Sequence, residues 1–370
     1  MVPAALMRRW LSVVFGSLLV VAVLGCGQQA PSTAAAPPPT PVGGSAATPT
    51  ERAPTAAAPG AAPAPQRLRV AYSALWALNA VPWAALEEGI FARHGLDVEM
   101  RFIASAQTVP AALSGDVDLS FGGGYAAVTS RLGGSDALIV FNLANWSPYE
   151  LMVTPDINSA ADLRGKALGV SRFGSASDTA TRDALRRLGL VPERDVTLLQ
   201  LQSLTERIAA MHTGQIAGGV ALAPDNVLLR RQGFKTLIDL GATGEPELTN
   251  TAFSTQRWLD AHEATAQAFV DALVEGIHFV KTNREATLRV LAKYLELDDP
   301  EALEAAYDAA VGQRLEPLPD LGIEAARRYL RELSASDPRA VGARAEDFFA
   351  TRFVDSVRAR GLVDRLYRGQ

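Results

Sequence analysis

Residues 68–103 read LRVAYSALWALNAVPWAALEEGIFARHGLDVEMRFI. LRVAYS alternates in the manner of a strand, VPWAALEEGIFARHG has helical apolar spacing and stops at Gly95, and DVEMRFI is strand-like again. The rhythm continues outward: TVPAALSGD (108–116) predicts a helix, VDLSFGG (117–123) a strand and YAAVTSRLGG (125–134) a helix. ALIVFNLA (137–144) and YELMVTP (149–155) then read as strands. A βαβα series of this kind predicts an α/β fold, with a mostly parallel sheet covered by helices on both faces.

The series then begins again. ADLRGKALGVSRFG predicts a strand and turn, SDTATRDALRRLG a helix, DVTLLQLQ a strand, LTERIAAMHTG a helix and IAGGVAL a strand, followed by APDNVLLRRQG and KTLIDLG. Beyond Asn250 the pattern is mostly helical. Two α/β units with a helical tail predict two lobes joined by crossing segments near Tyr149–Thr154 and Asn250–Thr255. The expected division is residues 67–152 and 255–370 for lobe 1 and 153–254 for lobe 2.

The chain has 370 residues, 48% of them hydrophobic, which supplies a core without disulfides. The only charges before Arg67 are Arg8, Arg9, Glu51 and Arg52; without them 32 basic and 39 acidic residues remain, a net charge of −7. An acidic body argues against nucleic acid and against a broad basic membrane face. No P-loop lysine follows the glycines at 122–124, and no G-x-S-x-G elbow is present. His94, His212, His262 and His278 have no metal-site spacing. No catalytic residue, metal or cofactor is therefore expected.

At the N-terminus, Arg8 and Arg9 precede the uncharged run Trp10–Gly25, which is short for a bilayer span and has the form of a signal peptide. The run ends in Val23-Leu24-Gly25-Cys26, which resembles a bacterial lipobox, with the thiol of the chain's single cysteine as the lipid acceptor. Residues 1–26 are expected to be a lipoprotein signal. Residues 27–66, dominated by Ala, Pro, Thr, Ser and Gly, cannot bury enough apolar surface to offset their ordering entropy and are expected to be a tether. The body is then expected outside the cytoplasm, anchored to the membrane by lipid on Cys26.

Five stretches of the body, VPWAALEEGIFARHGLDVEM, ALSGDVDLSFGGG, ADLRGKALGVSRFGSASD, MHTGQIAGGVALAP and FFATRFVDSVRARGLVDRLYRG, occur in the order found in a known family. They resemble the substrate-binding proteins of ABC importers for sulfonates, taurine, nitrate and thiamine-type pyrimidines, the NitT/TauT or SsuA-like family. Gln215-Ile216-Ala217-Gly218 departs from it, because an acidic pair is usual there. The resemblance implies a type II periplasmic-binding-protein fold and capture of a small anionic or aromatic ligand by hinge closure. It also implies a membrane permease and ATPase as partners of a monomeric receptor. An enzyme on the same bilobal fold acting on a pyrimidine-like substrate, and a non-transporting sensor lipoprotein, are the other two readings.

The foremost candidate site is Phe173-Gly174-Ser175-Ala176-Ser177-Asp178, between a strand and a helix. Gly174 permits a tight turn, and Ser175 or Ser177 can cap the helix so that its first amides face an acidic group. A serine cap without any ligand explains the same residues; the resemblance favours binding, because this turn lines the cleft in the family. Asp178 either offsets the helix dipole or receives a ligand's amine or hydroxyl. Ser73 and Trp76 after the first strand, and Gly123, Gly124 and Tyr125 in the glycine loop, are expected opposite. Trp146 is expected as a further cleft wall, whereas Trp83, on a helical stripe with Leu86 and Ile90, is assigned to the core. Gln107 either donates to the ligand or caps the helix after it. Pro224 and Asp225, after the strand Gly219–Leu222, complete the candidates.

Overall fold

Leu68 and Val70 are buried on one edge of the strand Gln66–Tyr72 (β1), where the sequence alternation placed them. The strand opens the folded body of a computed structural model that describes residues 64–312 and 314–368. The expected signal, Cys26 and the tether as far as residue 63 lie outside the described residues. In chain order the further strands are Leu96–Phe102 (β2), Leu119–Gly122 (β3), Ala137–Asn142 (β4), Glu150–Val153 (β5), Ala167–Val170 (β6), Thr197–Gln200 (β7), Gly218–Ala221 (β8), Lys235–Asp239 (β9) and Thr251–Thr255 (β10).

They form two five-stranded sheets of the same pattern, β2-β1-β3-β10-β4 and β7-β6-β8-β5-β9. In the first, β1 pairs parallel with β2 and β3, while β10 runs antiparallel to β3 and β4. In the second, β6 pairs parallel with β7 and β8, while β5 runs antiparallel to β8 and β9. The antiparallel strand of each sheet is the one that has just crossed from the other. Every residue of β4, β8 and β10 is buried, as expected of strands covered on both faces. The α/β, two-lobed fold is thus present.

Sheet membership changes between Asn142 and Glu150, and again between Asp239 and Thr251. Glu150–Val153 belongs to the second sheet and Thr251–Thr255 to the first, so both crossings lie a few residues before the expected ones. Strand-like sequence marks where a strand forms but carries no record of the sheet it joins.

The long helix Glu263–Thr282 packs its buried face, including Phe269, Leu273 and Ile277, on the first lobe. Phe91 stacks on Phe269 at 5.6 Å, and Trp83, fully buried as expected, stacks on Tyr294 at 4.7 Å. In the second lobe, successive residues of β5 point to opposite faces. Leu151 and Val153 join one apolar cluster with Leu168 and Leu185, while Met152 joins another with Met211 and Phe234. Both are separate from the large cluster, which is built on the first lobe and also takes in Ala223 of the second.

Candidate functional site

A cavity of 740 Å³ opens between the sheets at the carboxyl ends of their parallel strands, the position where open α/β sheets take ligands. Lobe 1 contributes Ser73 and Trp76 after β1 and Gly123 after β3. Lobe 2 contributes Ser171 and Arg172 after β6, Ser203, Glu206 and Arg207 after β7, and Pro224 and Asp225 after β8. Of the candidate residues, Ser73, Trp76, Gly123, Ser175, Ala176, Ser177, Pro224 and Asp225 therefore share one cavity. The glycine loop and the serine turn meet across it: a methyl added at Gly123 would lie 3.8 Å from the Ala176 Cβ.

Ser175 caps the helix Ala176–Arg187, its hydroxyl accepting from the Asp178 amide at 3.4 Å while donating to the Arg172 carbonyl at 2.7 Å. The Ser171, Ser175 and Ser177 hydroxyls lie 2.8–3.0 Å from one another, and Ser177 also accepts from the Ser171 amide. These side chains are committed to the turn. What the turn offers the cavity is the first-turn amides of Ala176 and Ser177, which have no intrahelical acceptor. Asp178 is buried and bound to the Gly174 amide at 2.8 Å and to Arg182, so its carboxylate stays within lobe 2. Phe173 is half exposed beside Arg182, outside the cavity lining.

Five other candidates lie outside the main cavity. Gly124 abuts the second crossing segment, donating to the Leu248 carbonyl, and an added methyl there would collide with Leu248 and Thr251. Trp146 lines a separate cavity of 520 Å³, which it shares with Trp76. Gln107 is exposed, makes no side-chain cap bond and lines neither cavity. Tyr125 and Gly174 line a smaller, mainly apolar annex of 220 Å³, which adjoins the main cavity at Gly123, Tyr149, Ala176 and Thr249.

Ser171, Arg172, Ser203, Glu206 and Arg207 line the cavity but were not among the sequence candidates, and Arg207 bears most on the chemistry. It is 9% exposed, its Nε has no hydrogen-bond partner, and one terminal nitrogen donates to the Leu201 carbonyl at 3.0 Å. Its stem lies over Gly169 and Gly219, which are paired in register across β6 and β8. A methyl on Gly169 would fall 3.0 Å from the Arg207 Cδ, and one on Gly219 would fall 2.8 Å from the Gly169 carbonyl oxygen. The two bare strand positions form the trough that admits the guanidinium. Burial opposes its charge; the nearby Tyr149, Asp225 and Glu206 favour it. Burial also raises the Asp225 carboxyl to about 6, despite Arg207, and pushes the Tyr149 hydroxyl up to about 12. A buried cation with an unused donor is costly unless an anion meets it. A sequence signal existed: Arg207, Ala210 and Met211 are the buried stripe of the helix Leu204–His212 at i, i+3 and i+4.

Among the described residues, no His, Cys, Asp and Glu cluster is arranged to hold a metal, and no helix is long and apolar enough to cross a membrane.

Two sheets of identical order exchanging one strand each, with a cavity between their strand ends, define a bilobal periplasmic-binding-protein fold. Residues 61–296 match the model of the NMT1-like family, and the chain belongs to that family. A binding protein of Brucella abortus (strain 2308) is 25% identical over 237 residues, covering 62% of this chain and 72% of that protein. The alkanesulfonate-binding protein SsuA of Xanthomonas axonopodis pv. citri, solved with MOPS bound, superposes with a TM-score of 0.63 at 22% identity, covering 76% of this chain and 96% of SsuA. The SsuA-like resemblance of the sequence is thereby upheld. The fold also carries enzymes: the desulfurization enzyme DszB superposes with a TM-score of 0.58 at 18% identity, over 80% of this chain and all of DszB.

Proposed function

We propose that the chain is the extracytoplasmic receptor of an ABC importer, capturing a small anion between its lobes and presenting it to a permease and ATPase. The observation that carries this reading is Arg207, a buried guanidinium that lines the 740 Å³ cavity and keeps an unused Nε donor. An anionic group such as a sulfonate or carboxylate pairs with that guanidinium, and the first-turn amides of Ala176 and Ser177 supply further donors on the same lobe. Ser73, Trp76 and Gly123 approach from lobe 1. A ligand touching both walls favours the closed arrangement by its differential contacts.

The moving bodies in this reading are residues 64–142 with 251–368 and residues 150–239, hinged at the two crossings. Lipid on Cys26 and the Ala/Pro-rich segment after it would hold the receptor near its permease. The name of the Xanthomonas relative supports sulfonates as the first ligands to try. A thermal-shift screen of sulfonates, nitrate, aromatic carboxylates and pyrimidines tests the reading, since a ligand that binds only the folded state raises Tm by mass action. A neutral pyrimidine as the sole stabiliser would contradict the anion assignment.

A further inference from the structure

Away from both crossings, one arginine among the described residues makes ion pairs from lobe to lobe. Arg231 ends the lobe 2 helix Asp225–Arg231, and its two terminal nitrogens reach Asp299 at 2.5 Å and Glu301 at 2.8 Å. Both carboxylates open the lobe 1 helix Pro300–Ala310. Asp299 is its N-cap, accepting from the Ala302 amide at 2.9 Å through one oxygen and from Arg231 through the other. Anions at one helix start meet a cation at another helix end, so both dipoles favour the contact. The Ala302 amide and then Arg231 hold the Asp299 carboxyl below its ordinary range.

The 520 Å³ cavity, lined from both lobes by Trp146, Asn226 and Asp308 among others, lies between the same two helices. The large apolar cluster of lobe 1 takes in Ala223, with Leu222 packed against it, just ahead of the Arg231 helix, while the other two lobe 2 clusters are separate. The opposite end of the Arg231 helix is Asp225, on the wall of the ligand cavity.

We propose that Arg231, Asp299 and Glu301 form an electrostatic latch that sets the balance between closed and open lobes before any ligand arrives. Arg231 is thus a positioning residue, holding the helix whose first residue faces the cleft. The three side chains are 35%, 36% and 84% exposed, so salt screens the latch, and exposed pairs of this kind shift an equilibrium by about two- to fivefold. The latch rests on the reading that the lobes open and close, and its test therefore uses no ligand.

The full chain carrying Cys26→Ser is labelled with a fluorescent pair at Glu88→Cys on lobe 1 and Gln215→Cys on lobe 2, both exposed positions. Distances between the labels are measured one molecule at a time. At low salt, Arg231→Glu is expected to raise the ratio of long-distance to short-distance molecules at least threefold, and Arg231→Glu with Glu301→Lys to restore it. In the parent, 0.5 M NaCl should mimic Arg231→Glu, and in Arg231→Glu the same salt should not open the lobes further. Should Arg231→Glu fail to fold, Glu301→Lys alone makes the same prediction in weaker form. Two populations whose ratio ignores both charge changes and salt would overturn the latch alone. A single distance under every condition would overturn the latch and lobe closure together.

Discussion

Arg187 grips Glu245 with both terminal nitrogens, at 2.7 and 3.1 Å, and so ties the far end of the lobe 2 cleft helix to the second crossing segment. Glu245 shares an oxygen with Arg328 of the helix Ile323–Leu333, and Arg328 reaches on to Glu247, which accepts from the Tyr125 hydroxyl at 2.6 Å. One carboxylate on the linker is thus held by a cation from each lobe. Hydrogen bonding from Arg187 holds the Glu245 carboxyl below its ordinary range, while burial pushes that of Glu247 above.

Removing one side of that tie measures it. Arg187→Ala is expected to cost about 0.5–1 kcal/mol, the modest value proper to a partly exposed pair. Because Glu245 is bound on both sides, a double-mutant cycle of Arg187→Ala with Glu245→Gln by urea unfolding should return a coupling of the same size. Additive losses would mean that the contact contributes nothing. The Glu245 share is present above the unfolded carboxylate range, near pH 4, and fades as pH falls through its lower folded value.

For the cleft turn, Ser175→Ala is expected to lower stability by about 1 kcal/mol, as for a lost N-cap, and to change ligand Kd by less than threefold. The hydroxyl already serves Asp178, Arg172 and its two serine neighbours, while the amides remain. A loss of affinity tenfold or greater with Tm unchanged would instead make the hydroxyl itself a ligand contact.

Much of this architecture was legible in the sequence because period-2 and period-3.6 patterns record which side chains are buried. Those patterns delivered β1 to β8, the helix after Ser175 and the glycine loop. They were silent on partners far apart in the chain. The restart of the βα series located the crossings to within a few residues of Glu150–Val153 and Thr251–Thr255, but nothing local tells which sheet each strand joins. Arg207 reads as an ordinary helix charge until Gly169 and Gly219 are seen side by side beneath it, 50 residues apart in the chain. Gly124 is the converse case: a glycine chosen for close approach, but to Leu248 and Thr251.

The half-buried Asp225 carboxyl gives the fold a pH signature. Its folded pKa of about 6 exceeds the unfolded value of about 3.9, so the native state binds more protons between the two. Stability from this group therefore falls as pH rises from about 4 to 6, then levels. Relative to wild type, Asp225→Asn should gain almost nothing at pH 4 and about 2–3 kcal/mol at pH 7, read from urea unfolding at each pH. A difference that stays flat across that range would place the titration elsewhere.

Anchoring is tested by fractionation. Cys26→Ser should leave the protein in the soluble extracytoplasmic fraction, with the wild type in the membrane fraction and carrying acyl chains detectable by mass spectrometry. Wild-type protein that is already soluble and unmodified would rule out the lipid anchor.

Capture of an anion by Arg207 is most directly tested by calorimetric titration of wild type and Arg207→Gln with the anion that most raises Tm in the screen. Truncating a buried, hydrogen-bonded charge contact costs about 2–5 kcal/mol, so the variant should lose at least thirtyfold in affinity, with a smaller change in its own Tm, because the relief of burying a cation offsets the loss of its attraction to Asp225 and Glu206. Equal affinity in the two proteins would contradict the account, whatever the fold.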